Sequence, residues 1–196
     1  HYYSDPSTQH FTDLTVNPTG YLTAGKGDEF YISGDFINYS IMNEEWNTVE
    51  AFLAFVDGGG EHLLSVAGAD YGAGMVGYKD NFAWGALDIS GGEELLLQDG
   101  GLSTADDTDY ASGAFYVETL LGAEILDGMI TNIVGQEGLN VYYLAMASGN
   151  EYLSGLDYDL LGGGMLIAVQ NEVPIPAAFW LFGSGLAVLI GLRRRN

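Results

Sequence analysis

Ala51-Phe52-Leu53-Ala54-Phe55-Val56, followed at once by Asp57-Gly58-Gly59-Gly60, decides the fold class. The apolar run is continuous and short, as expected of a strand covered on both faces. The Asp-Gly-Gly-Gly that ends it is turn chemistry. A second run, 36–42, carries the other strand signature. Ile37, Tyr39 and Ile41 alternate with Asn38 and Ser40, a period of two with one face buried. Shorter runs at 11–16, 30–33, 62–67, 75–78, 82–89, 94–98, 114–117, 141–147 and 165–169 repeat the theme. Glycine clusters at 90–92, 99–101 and 162–164 punctuate them. The expectation is a mainly β chain, built as an antiparallel β-sandwich.

One segment departs from strand spacing. Val117, Leu120, Leu121, Ile125, Leu126, Met129, Ile130, Ile133 and Val134 recur every three or four residues, with Glu118, Glu124, Asp127, Thr131 and Asn132 between them. That spacing predicts one helical insertion, weakened by Gly122 and Gly128, with two strands as the alternative.

Charge bounds the partners. The chain carries 27 Asp and Glu against five Lys and Arg, for a net −22. Ahead of the C-terminal arginines only Lys26 and Lys79 oppose the acids. Such a surface repels nucleic acid and anionic lipid, so nucleic-acid binding is excluded. There is no cysteine, hence no disulfide and no thiolate chemistry.

No catalytic constellation stands out, and the chain reads as a non-enzyme. There is no Gly-x-Ser-x-Gly, and the glycine-rich loops lack the Gly-Lys-Ser/Thr of a phosphate cradle. Asp106, Asp107 and Asp109 lie close together, as do Asp157 and Asp159. Closely spaced carboxylates beside glycine turns are candidate calcium ligands, but no EF-hand pattern is present. No other cofactor is indicated. His1, paired with His10 or His62, is a candidate for a copper-holding histidine brace. That arrangement resembles copper polysaccharide monooxygenases in this one feature. Trp46 and Trp84 are candidates for a carbohydrate-binding face, against the ordinary use of aromatics as sheet filling.

The C-terminus is the most specific segment. Val173-Pro-Ile-Pro-Ala-Ala-Phe-Trp-Leu-Phe-Gly-Ser-Gly-Leu-Ala-Val-Leu-Ile-Gly-Leu192 has no charge, and Arg193-Arg194-Arg195 follows. As a helix it would span about 30 Å, the hydrocarbon thickness of a bilayer. The arginines would hold the C-terminus on the cytoplasmic side and leave the N-terminus outside. Gly183, Ala187 and Gly191 fall on one face, where small residues let a second helix approach.

This tail, Val173, Pro174, Ile175 and Pro176 closing on Arg193, Arg194 and Arg195, resembles the PEP-CTERM sorting signal of Gram-negative bacteria. It looks most like the variant that opens Val-Pro-Leu-Pro-Ala, with Ile175 in place of the usual Leu or Glu. The resemblance covers residues 173–196 only. It implies export across the inner membrane, anchoring in lipid, and processing by an exosortase-type membrane enzyme. It also implies a place among cell-surface or extracellular-matrix proteins. His1 rather than Met at the start agrees with removal of an export leader.

Three regions are therefore expected: an N-terminal arm at 1–21 that can act as a pairing strand, an acidic β-sandwich at 22–172, and a single transmembrane helix at 173–196. The functional expectation is a tail-anchored structural protein of the cell surface, acting in assembly or adhesion and able to self-associate as a polymer subunit. The alternative is an accessory subunit of a membrane complex, held by its terminal helix. A carbohydrate-binding module or a copper enzyme ranks below both.

Overall fold

Short apolar runs separated by glycine turns do form strands, and the protein is mainly β. The computed structural model describes residues 2–3, 6–101 and 113–170. Its strands fall into two stacks. The first holds β2 (Thr8–Phe11), β5 (Glu29–Ile32), β7 (Thr48–Phe55), β10 (Trp84–Asp88), β12 (Gly113–Leu121), β15 (Leu139–Leu144) and β17 (Met165–Val169). The second holds β3 (Leu14–Val16), β6 (Phe36–Asn38), β8 (Glu61–Val66), β11 (Glu94–Asp99), β14 (Met129–Val134) and β16 (Tyr158–Leu161).

Neighbours within each stack run parallel. This corrects the antiparallel expectation. Successive strands alternate between the stacks, so the chain winds as a coil that gives one strand to each side per turn. A parallel neighbour needs a long return connection; here the opposite stack is that connection. Two opposed antiparallel sheets are therefore replaced by a parallel winding. An antiparallel pair seals one end: β16 and β17 pair Tyr158 with Leu166 and join the stacks. At the other end β2 and β3 each have one ladder neighbour among the described residues. The sheet is thus nearly closed, and its opening lies at the first coil.

Inward residues line up in rows across the coils. Phe30, Leu53, Leu87 and Leu120 are successive register partners in the first stack. Leu14, Phe36, Leu64 and Leu97 are their counterparts in the second. One core cluster takes in both stacks, and Phe36 meets Trp84 edge-on at 5.9 Å across it. Trp46 and Phe82 extend this aromatic cluster, their ring centroids 5.0 Å apart. The outer face of β12 is buried as well. Tyr116 stacks on Tyr142 at 4.6 Å, beneath the connection that follows β9 (Gly68–Ala69).

The expected helical insertion is absent. Its residues form β12, β13 (Ile125–Leu126) and β14. The misleading spacing has a structural source. Ile130 and Ile133 are both buried, and the register of β14 against β16 shifts between Ile130 and Val134, so an irregular strand imitates helical spacing. Gly122 and Gly128, with φ of +83° and +84°, supply the turns. The run at 75–78 is a 3-10 turn, not a strand. The run at 11–16 is broken by a bend into β2 and β3. The expected N-terminal arm is the first coil of this chain's own fold, with β1 (Tyr2–Tyr3) paired parallel to β4 (Leu22–Thr23).

Among the described residues no helix is long and apolar enough to cross a membrane. The expected transmembrane helix lies outside them, as do Val173, Pro174, Ile175, Pro176, Gly183, Ala187, Gly191, Arg193, Arg194 and Arg195.

Candidate functional site

Three places gather polar groups or leave backbone open: a buried corner, a braced loop and the first-coil edge. The corner comes from the turn that follows β7. Gly58 and Gly59 take φ of +77° and +105°, conformations open to glycine. Four successive amides, of Asp57, Gly58, Gly59 and Gly60, then converge on the Glu93 carboxylate at 2.8–3.1 Å. The His62 Nε2 adds a fifth contact at 3.0 Å, while its Nδ1 meets the Gly34 carbonyl at 2.7 Å. Both ring nitrogens face oxygen atoms.

His62 and Glu93 are each only 1% exposed. Burial alone would push the Glu93 carboxyl up. The amide of Asp57, the His62 ring and the amides of Gly58 and Gly60 outweigh it and hold the group at about 2. A carboxylate with five donors has no lone pair left for substrate. The corner is a clasp, and it continues along the coils. The Asp13 carboxylate accepts the Asp35 amide, Asp35 accepts the Leu63 amide, and Asn132 donates to the carbonyls of Glu93 and Gly122.

The braced loop is the long connection from β8 to β10. Asp70 accepts from Tyr142 Oη at 2.7 Å and Asn140 Nδ2 at 2.8 Å. Asn81 bonds both the amide and the carbonyl of Ala69. Burial pushes the Tyr78, Tyr116 and Tyr142 phenols up, which keeps them neutral hydrogen-bonding groups. The loop presents Tyr71, Met75 and Val76, all at least half exposed, around a shallow depression that Asn43 and Lys79 also line.

The first-coil edge is different in kind. Glu29 donates its amide to the Ser7 carbonyl and Ser33 to that of Phe11. In a parallel ladder this register turns Gln9 and Phe11 toward β5 and leaves the peptide groups of Thr8 and His10 on the outer side. The same reasoning on β3, from Leu14 donating to Asp35 and Tyr39 to Val16, leaves Thr15 outward. Between Pro6 and Gly25 the sole charged side chain is Asp13, and its carboxylate is engaged by Asp35. Phe11, Leu14 and Tyr21 pack on the main core while only partly buried.

The residues singled out from sequence are not brought together. Trp46 and Trp84 are 5% and 1% exposed, so the expected sugar-binding face at these rings is corrected to core packing. Trp46 Nε1 donates to Thr48 Oγ1 at 2.7 Å. His62 is consumed by the clasp, so it offers no arm to a copper brace. His10 lies exposed on β2, stacked on Tyr31 at 5.0 Å, and His1 lies outside the described residues. Asp157 accepts the Ala168 amide at 2.8 Å, and Asp159 is exposed on β16. Asp106, Asp107 and Asp109 lie outside the described residues. Among the described residues no three His, Asp or Glu are placed to hold a metal. Sequence reasoning passed over Glu93. Its signal was a glutamate directly after Gly91-Gly92, one coil beyond Asp57-Gly-Gly-Gly.

Compared with protein-family models, curated proteins and solved structures, the chain matches none.

Proposed function

We propose that this is an exported, tail-anchored structural protein of the cell surface or extracellular matrix, acting in assembly or adhesion. The observation that carries the reading is the polarity of the coil. The chain leaves the described fold at Gln170, just after β17 in the sealed last coil. The open-edged first coil stands at the opposite end. An apolar tail beginning at Val173 would hold the sealed end at the membrane and turn the open end outward. The tail's resemblance to a PEP-CTERM signal and the acidic surface support the same reading.

Fractionation of the native cell tests it. The full chain is expected in the membrane or surface fraction, sensitive to protease added outside. A chain lacking 173–196 is expected in the soluble exported fraction. Intact protein recovered from the cytosol would refute the proposal.

A further inference from the structure

We infer that the first coil is an interface between two copies of this chain, joined edge to edge about a two-fold axis. This deepens the surface reading by naming the partner. β2 and β3 are the strands with a single ladder neighbour among the described residues, and they lie at one end of the coil. Their outward peptide groups at Thr8, His10 and Thr15 want partners, as any open edge does.

Charge selects the occupant. The chain carries 27 acids, yet 6–25 holds Asp13 alone. Depletion of charge is the mark of an interface core. This end is where two strongly anionic copies approach with least repulsion. The apolar side agrees. Phe11, Leu14 and Tyr21 are three of the four partly buried side chains packed on the main core, so that core is least covered at this end.

Geometry sets the stoichiometry. A two-fold axis perpendicular to the coil brings first coil to first coil with facing strands antiparallel, an isologous contact. The other end is sealed by β16 and β17, so pairing stops at the dimer.

The test uses the full chain in detergent. Light scattering is expected to give twice the monomer mass at micromolar concentration. The double variant Thr8→Lys, Thr15→Lys places like charges across the axis and is expected to be monomeric yet folded, with a urea midpoint that no longer depends on protein concentration. The chain has no cysteine, so single cysteines report contact directly. Thr15→Cys and His10→Cys are expected to form disulfide-linked dimers, and Leu156→Cys, in the last coil, is not. A monomeric wild type overturns the inference. So does a folded lysine variant that stays dimeric, or cross-linking at Leu156→Cys with none in the first coil. The two proposals fail separately. A surface-held monomer removes the interface alone, while a first-coil dimer recovered from the cytosol removes the surface reading alone.

Discussion

Replacing Glu93 by glutamine keeps the shape of the side chain and removes its charge. The carboxylate accepts from the amides of residues 57–60 and faces His62. A carboxamide retains one accepting oxygen and turns an NH₂ toward donors. Glu93 sits at about 2 in the folded protein against an ordinary 4.5, a difference worth about 3 kcal/mol. Because the folded value is depressed, this stabilisation is complete above the unfolded value. It is lost as the pH falls from about 4.5 toward 2. The other ionisable groups at the site are His62, Asp57 and Asp88.

Urea unfolding of wild type and Glu93→Gln across pH 2 to 7 measures this. The variant is expected to be less stable by about 3 kcal/mol at pH 7, or a melting temperature lower by roughly 6–12 °C for a domain of this size. The gap is expected to narrow to a few tenths of a kcal/mol at pH 2, where wild-type Glu93 is about half protonated. A gap under about 1 kcal/mol at pH 7, the worth of an ordinary hydrogen bond, would refute the assignment of Glu93 as an anionic clasp. A gap that stays constant with pH would refute it equally.

Three further substitutions probe the winding, each read by urea unfolding. Asn150 accepts the Leu120 amide and donates to the carbonyls of Glu118 and Leu144; Asn150→Ala strands three backbone groups and is expected to cost about 2–4 kcal/mol. Gly122 has φ of +83° with the Ser90 backbone where a Cβ would stand. Gly122→Ala is expected to destabilise by more than about 1 kcal/mol. Trp84 is 1% exposed, with Phe30 and Phe36 edge-on to it. Trp84→Ala is expected to cost about 3–5 kcal/mol, and a stable variant that had lost only glycan binding would return that ring to a surface role.

Strand content was legible because it is written in local pattern. Phe36–Asn38 and Thr48–Phe55 are strands, as the local pattern predicts. The burial expected at 36–42 is inverted, however. Asn38 and Ser40 are buried, Ser40 donating to the Gly20 carbonyl and its amide bonding Asn38, while Tyr39 and Ile41 are about half exposed. Val56 is exposed just past the end of its strand. The winding was not legible, because its repeat has no fixed length. Phe30 to Leu53 is one coil and Leu53 to Leu87 is the next, longer by the loop that carries Tyr71 and Met75. A period that drifts leaves no internal repeat to find. Parallel pairing is a property of distant residues and has no local signature. The clasp shows the same limit. Glu93 reads as one acid among 27 until the coil brings Asp57-Gly-Gly-Gly alongside it. The aromatic candidates misled for the converse reason: Trp84 suits a sugar face and a core equally, and burial decides.

The distribution of acids ties the clasp to the open end. Asp13, Asp35, Asp70, Asp88, Glu93, Glu151 and Asp157 all accept backbone amides, so part of the acidity is a winding device. Repulsion between copies is the consequence, and residues 6–25 of the first coil escape most of it by carrying Asp13 alone. If repulsion is what the dimer must overcome, screening should favour association. The Debye length falls from about 30 Å at 0.01 M salt to about 10 Å at 0.1 M. The dimer is therefore expected to tighten over that range. A contact driven by opposite charges would loosen instead, and sedimentation of the full chain at the two salt concentrations separates the cases. Weakening with salt would mean that charge attracts the copies, and the scarcity of charge in residues 6–25 would then explain nothing about the interface.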